Sequence, residues 1–347
     1  MSIGTKGGLQ RPVTQTRRSF LATLSLAGAT GLLGAPSVLA AEGVLETPTV
    51  RLQKISSQGG ICAAPVRIVG ELLRAEGFTD VRLVSSGSGD VTQAVGDGTL
   101  DFALNFASSL TAAIDRGVAI TVLSGIHAGC FGLFGHEVIR GIADLKGRRV
   151  AVASMGSPAH LFVAAMASQV GIDPGTDIHW ITAPGSDAIE LFIDGKVDAF
   201  FAFPPQPQEL RARQIGHLVV DSAVDRPWSQ YFCCLLYGNT GYVQKYPVAT
   251  KRVLRAILKA TDLCASQPER VARQLSDDGA AEPYERLLEV LRELPYDRWR
   301  EYDPEDTMRF YALRLHEAKL IKSTPNKIIA DGTDWRFLNE LKRELKA

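Results

Sequence analysis

Asp97-Gly98-Thr99-Leu100-Asp101-Phe102-Ala103 recurs later in the chain as Asp194-Gly195-Lys196-Val197-Asp198-Ala199-Phe200. Each copy reads as the end of a helix, a turn at glycine and entry into a short apolar strand, residues 102–106 and 199–203. The surroundings repeat as well. Ahead of the first copy come a strand over 50–55 and a glycine-containing loop over 56–60. A helix over 63–76 then stops at Gly77, and a strand over 81–84, a loop over 85–89 and a second helix follow. Ahead of the second copy come a strand over 149–153, a loop over 154–158 and a helix over 159–170 that stops at Gly171. A strand over 178–181, a loop over 183–186 and another helix follow. Each half is therefore strand, loop, helix, strand, loop, helix, strand. Such alternation predicts an α/β fold of two lobes, each a mainly parallel sheet flanked by helices. Right-handed crossovers place every strand-to-helix loop at one edge of its sheet, so two lobes side by side present those edges to one cleft.

Beyond the repeat, residues 247–347 read almost wholly helical, with helices expected over 248–266, 268–275, 281–291, 304–318 and 333–345. Pro268 and Pro304 suit first helical turns, and Asp331-Gly332-Thr333-Asp334 suits a turn and cap before the last helix. The apolar stretches 131–135 and 231–238 flank the second half and are expected to cross between lobes, forming the hinge. At the other end, Thr16-Arg17-Arg18-Ser19-Phe20-Leu21 is a paired-arginine motif ahead of an uncharged run of small and apolar residues. Small residues at 36–40 then offer a cut site near Ala40 and Ala41. This pattern reads as a twin-arginine export signal over residues 1–40, with the processed protein expected in the periplasm. The apolar run is too short for a permanent membrane anchor.

Removing Lys6, Arg11, Arg17 and Arg18 from the 38 basic residues leaves a deficit of four against the 38 acidic ones. A nucleic-acid surface would need a basic excess, so no nucleic-acid partner is expected. The remaining length suits two domains of roughly 100–200 residues. Five cysteines, Cys62, Cys130, Cys233, Cys234 and Cys264, follow no metal-ligand spacing. One disulfide is open to them in an oxidising compartment, with partners the sequence does not assign.

With Gly59-Gly60-Ile61-Cys62-Ala63-Ala64-Pro65 after the first strand, the segment 98–103, the run Ile142-Ala143-Asp144-Leu145-Lys146-Gly147-Arg148-Arg149-Val150-Ala151-Val152 and then Met155-Gly156-Ser157-Pro158-Ala159-His160, residues 48–265 resemble a known family. It is that of the periplasmic solute-binding proteins of the nitrate, sulfonate and taurine type, which share a fold with the thiamine-pyrimidine synthases. The resemblance implies a type II periplasmic-binding-protein fold. Lobe one would comprise 48–132 plus 238–347, and lobe two 133–237. It also implies a small-molecule ligand, the membrane permease of an ABC importer as partner, action as a monomer, and no cofactor, metal or catalysis. Two alternatives remain: an enzyme related to the synthases, whose cysteine-rich iron-associated motif is only partly shadowed by Phe232-Cys233-Cys234-Leu235-Leu236, and a binding protein serving a different transporter or a sensor.

Helix N-termini offer unpaired N–H groups and partial positive charge, so the strand-to-helix loops are the candidate ligand contacts. Ser57, Gln58 and Gly59 precede the first helix and Ser88 the second; Asn105, Phe106, Ser108 and Ser109 follow the third strand. Gly156, Ser157 and His160 open the second lobe's first helix, and Phe203, Pro204 and Gln206 stand where Phe106–Ser109 stand in the first half. No Lys or Arg falls among them, which favours a small organic ligand, neutral or weakly charged and planar forms included, over nitrate; an anion would need Arg67, Arg116 or a residue of the C-terminal region to reach in. Hydrolase arrangements are missing: there is no Gly-x-Ser-x-Gly elbow and no His-Glu-x-x-His. Asp101 and Asp198 precede their strands at the end away from the cleft, where turn and packing roles are expected.

Overall fold

A computed structural model describes residues 43–56, 60–86, 90–183 and 185–345. The paired-arginine segment and four of the expected ligand contacts, Ser57, Gln58, Gly59 and Ser88, lie outside the described residues. The strands are β1 (Thr49–Gln53), β2 (Asp80–Val84), β3 (Phe102–Phe106), β4 (Ile120–Ala128), β5 (Gly132–Gly135), β6 (Arg149–Val152), β7 (His179–Thr182), β8 (Ala199–Ala202), β9 (His217–Asp221) and β10 (Phe232–Asn239). They form two five-stranded sheets, ordered β2-β1-β3-β10-β4 and β7-β6-β8-β5-β9. Position by position the two orders are the same, as the repeated half requires. In β1, Val50 and Leu52 point into the core while Thr49, Arg51 and Gln53 face outward, the period of two that sets a strand.

The sheets are mixed. β1 runs parallel to β2 and β3, and β6 to β7 and β8, whereas β10 runs antiparallel to β3 and β4, and β5 to β8 and β9. The antiparallel half was not expected from the alternation. It arises because the fourth strand of each sheet enters from the other lobe and runs back along its neighbour. The chain leaves the first sheet after β4, crosses, and enters the second as β5; it returns as β10. The segment Phe232–Asn239, which the sequence reading divided between the lobes at 237/238, lies wholly in the first sheet. The outward crossing is residues 129–131 and the return runs through residues 222–231.

One interaction repeats with the halves. The Asp101 carboxylate accepts from the Arg51 backbone N–H at 2.6 Å and from its Nη2 at 2.6 Å, joining β1 to the start of β3. Asp198 does the same for Arg149, at 2.8 Å and 2.8 Å, joining β6 to the start of β8. The backbone carbonyls of the two aspartates then accept from Asn239 N at 2.9 Å and from His136 N at 3.1 Å, at the ends of β10 and β5. These aspartates are structural pins, in line with the packing role expected of them.

The helices are α1 (Ala64–Ile68), α2 (Gly70–Ala75), α3 (Val91–Gly96), α4 (Ala107–Asp115), α5 (Pro158–Gln169), α6 (Gly185–Ile193), α7 (Gln206–Arg213), α8 (Thr240–Lys245), α9 (Pro247–Ser266), α10 (Pro268–Asp277), α11 (Tyr284–Glu293), α12 (Pro304–Glu317), α13 (Pro325–Gly332) and α14 (Arg336–Glu344). Among the described residues no helix is long and apolar enough to cross a membrane. Proline opens α9, α10, α12 and α13, where its missing N–H costs nothing. α9 packs on α1 and α2 of the first lobe, while α12 packs against both α4 of the first lobe and α5 of the second. The helical tail is thus the support of one lobe and a strut to the other.

Candidate functional site

The C-terminal ends of β1, β2 and β3 and those of β6, β7 and β8 lead into the candidate loops, and the crossings emerge at the same edges. Cys234 at the start of β10 pairs with Phe106, and Gly132 at the start of β5 pairs with Ala202. The two equivalent strand ends meet: the rings of Phe106 and Phe203 stand 4.5 Å apart, centroid to centroid. Phe162 of α5 packs beside both, and touches Phe131 of the outward crossing at 4.5 Å and Tyr311 of α12 at 5.3 Å. An aromatic wall therefore runs from one lobe through the crossing to the other.

The remaining expected contacts divide by what their polar atoms already do. Asn105 is spent on its own lobe: its Nδ2 donates to Thr92 Oγ1 at 2.8 Å and its Oδ1 accepts from Phe106 N at 2.8 Å. Gln206 Oε1 accepts from Phe203 N at 3.2 Å, pinning the turn before α7. Ser157 caps α5 by accepting from His160 N at 3.4 Å. His160 is buried, only 3% exposed. Its Nδ1 accepts from Gly156 N at 3.1 Å, so its ring proton sits on Nε2, and its ring packs edge-on to Trp180. Gly156 has φ +79°, a left-handed turn that brings that N–H onto the ring. Burial pushes the His160 pKa down to about 4, keeping it neutral. Ser108 and Ser109, in the first turn of α4, present buried hydroxyls without a hydrogen-bond partner among the described residues.

A recess of about 290 Å³ opens where the lobes meet, beside the crossing. It is lined by Cys130 and Phe131 of the crossing, Pro204 and Gln208 of the second lobe, Asp221 at the end of β9 and Glu293 of α11. Of the described residues expected to touch ligand, Pro204 is the one in its lining. Gln208 Nε2 donates to Glu293 at 2.8 Å and Arg211 donates to it at 2.5 Å, a second tie between lobe and tail. Gln208 Oε1 is left buried without a partner among the described residues. Burial raises the Asp221 pKa, and the Asp225 and Glu293 carboxylates add to the rise. The sequence offered no signal for Gln208, Asp221 or Glu293, since their convergence depends on a helix of the tail reaching the second lobe.

Beneath the same edge of the first sheet lie Cys62, His127, Cys130 and Cys234, all buried, with donor atoms within 4.8 Å of one another. Cys130 is bonded to Cys233. Those donors would suit a soft metal ion only with Cys130 reduced. With the bond in place two thiols and one imidazole remain, and the fit is incomplete.

The NMT1/THI5-like family model matches residues 74–271. The 4-amino-5-hydroxymethyl-2-methylpyrimidine phosphate synthase THI5 of Saccharomyces cerevisiae is 23% identical over 251 residues, covering 66% of this chain and 72% of that protein. Among solved structures, the periplasmic nitrate-binding protein NrtA from Synechocystis PCC 6803 superposes with a TM-score of 0.71 at 15% identity, covering 88% of this chain and 90% of that one. The alkanesulfonate-binding protein SsuA from Xanthomonas axonopodis, bound to MOPS, gives 0.65 at 17% identity over 84% of this chain and 99% of that one. At such identities the structural likeness establishes the fold.

Proposed function

The chain belongs to the NMT1/THI5-like family, and from that premise we propose that it is an exported solute-binding protein which closes two lobes on a small organic molecule and delivers it to the permease of an ABC importer. The observation that carries the reading is the ring contact of Phe106 and Phe203, which brings the ends of equivalent strands in the two halves together beside the crossing. A guest seated there touches both lobes only when they are closed, so binding draws the population toward the closed form. The permease then distinguishes loaded from empty protein by shape. NrtA and SsuA, binding proteins by name, share this architecture. The aromatic wall and the lack of Lys or Arg among the expected contacts favour a planar, neutral or weakly charged organic ligand over a bare inorganic anion, the recess's one arginine, Arg211, being paired to Glu293. In this reading the processed protein is a periplasmic monomer, and the expected contacts on Ser57, Gln58, Gly59 and Ser88 stand as part of the proposal.

Sulfonates, aromatic acids, pyrimidines and small inorganic anions, screened by thermal shift, test it. One class at a hundred times its Kd should add about 2.7 kcal/mol of stability and raise Tm. Ser157→Ala and Asn105→Ala should each weaken that shift, through the loops they hold. Equal shifts in the variants would remove those loops from the site, and no shift with any class would count against the clamp.

The yeast relative favours a second reading, an enzyme. Metal analysis of the purified protein separates the two: stoichiometric iron supports the enzyme, whereas a ligand-induced shift in metal-free protein supports the clamp.

A further inference from the structure

We propose that Cys130, Cys233, Cys62 and Cys234 form a thiol–disulfide exchange site, in which a Cys130–Cys233 bond and a Cys62–Cys130 bond interchange at the base of the crossing between the lobes. Four of the five cysteines converge here from three distant parts of the chain. Cys62 sits in the 3-10 turn Ile61–Ala63 before α1, Cys130 in the outward crossing, and Cys233 and Cys234 on β10. Consecutive residues of a regular strand point to opposite faces. The pairing of β10 with β4 slips between Phe232 and Cys234, making Cys233 the inserted residue of a bulge. The bulge is what lets two successive cysteines reach one place.

The Sγ atoms of Cys62 and Cys234 lie within 4.8 Å of Cys130 Sγ, one partner of the existing disulfide, and so does a ring nitrogen of His127. His127 is fully buried, and its Nε2 has no hydrogen-bond partner among the described residues. The His127 imidazole stands beside the Cys62 and Cys234 thiols, at hand to take the proton that leaves Cys62 as it attacks. A nucleophile, a disulfide and a proton acceptor are thus assembled in one buried space.

The step balances without an external oxidant. Cys62 sulfur attacks Cys130 sulfur, a Cys62–Cys130 bond forms, the Cys130–Cys233 bond breaks, and its electron pair leaves on Cys233. His127 takes the Cys62 proton on its unpartnered Nε2 and passes it to Cys233, and the count of disulfides stays at one. The consequence is geometric. The first bond ties the outward crossing to the strand that follows the return crossing; the second ties it to the turn that directly follows residues 57–59. Cys130 also lines the recess of about 290 Å³, where a small thiol can reach it and set the exchange going.

Peptide mapping by mass spectrometry, after acid quench and alkylation of the full-length protein, reads the pairing directly. Wild-type protein held at pH 8 with a trace of thiol should yield both 130–233 and 62–130 linked peptides. Cys233→Ser should retain one disulfide, now Cys62–Cys130, and Cys62→Ser should leave 130–233 alone. Cys264→Ser, buried on α9, should match wild type. Should Cys233→Ser fail to fold, the wild-type map decides the matter. A wild-type map with 130–233 alone, a folded Cys233→Ser protein with no disulfide, or Cys62, Cys130 and Cys234 held reduced with His127 on a stoichiometric metal would overturn the exchange.

Discussion

His160 shows how one side chain can be tied to the fold and yet answer to pH. Its ring is buried against Trp180, with Nδ1 committed to the Gly156 N–H, so protonation would cost both desolvation and that hydrogen bond. Folded, it titrates near 4; unfolded, it titrates near 6.5. Between those values the unfolded chain takes up a proton that the folded one declines. The stability His160 contributes is therefore complete above about pH 6.5 and is lost as the pH falls toward 4. Unfolding of wild type and of His160→Gln, compared between pH 7 and pH 4.5, should differ in slope, with wild type losing on the order of 1–2 kcal/mol more. Parallel profiles would mean that His160 is protonated within the fold.

At the scale of the elements, each lobe is pinned where its first strand meets its third. The Arg51–Asp101 and Arg149–Asp198 pairs share donors and geometry, but Asp101 is 3% exposed and Asp198 20%. Removing a buried partner strands an uncompensated guanidinium and backbone N–H, whereas water can replace part of an exposed one. Asp101→Ala should therefore cost about 3 kcal/mol and Asp198→Ala about 1 kcal/mol in denaturant unfolding; equal costs would show that burial does not govern the pin. These pins mark what the sequence makes legible. Turn glycine, aspartate and apolar strand all lie within seven consecutive residues, so local chemistry alone announces them. The partners of β5 and β10 are the opposite case: each strand pairs with segments on the far side of a crossing, and no local pattern records the exchange. Asp331-Gly332-Thr333-Asp334 reads as a turn and cap before the last helix; in the fold Asp331 and Gly332 instead end the helix Pro325–Gly332, Gly332 lying against Ile114, where a Cβ would come within 2.3 Å of the isoleucine side chain. The candidate site was legible as strand ends and loops, since the repeat dictates that Phe106 and Phe203 be equivalent. What those side chains bind was not legible. Asn105, Gln206 and His160 turned out to brace their own loops, and Gln208 and Glu293 meet only through the tail.

For the whole molecule, the crossings and the helical tail set what motion is available. The lobes are joined by two crossings, by α4 packing directly on α5, by α12 lying on both, and by the Gln208–Glu293 and Arg211–Glu293 bonds. Opening about the crossings must break the Phe106–Phe203 contact, and it must slide or bend α12 against one of its two neighbours. Packed helices tolerate small shear displacements without losing their seats, so the tail permits closure yet limits its range. A compact body of some three hundred residues has a radius of gyration of roughly 19 Å. Wild-type protein in solution should sit near that value with ligand and above it without. Phe106→Ala combined with Phe203→Ala removes the aromatic lobe contact, leaving the crossings, α12 and the packing of α4 on α5 in place. Small-angle scattering of that variant should show expansion in the absence of ligand, only partly reversed at ligand concentrations that compact wild type. An unchanged scattering curve in the double variant would place the lobe tie in the α4–α5 packing, α12 and the Glu293 bonds, and the aromatic pair would then serve the guest alone.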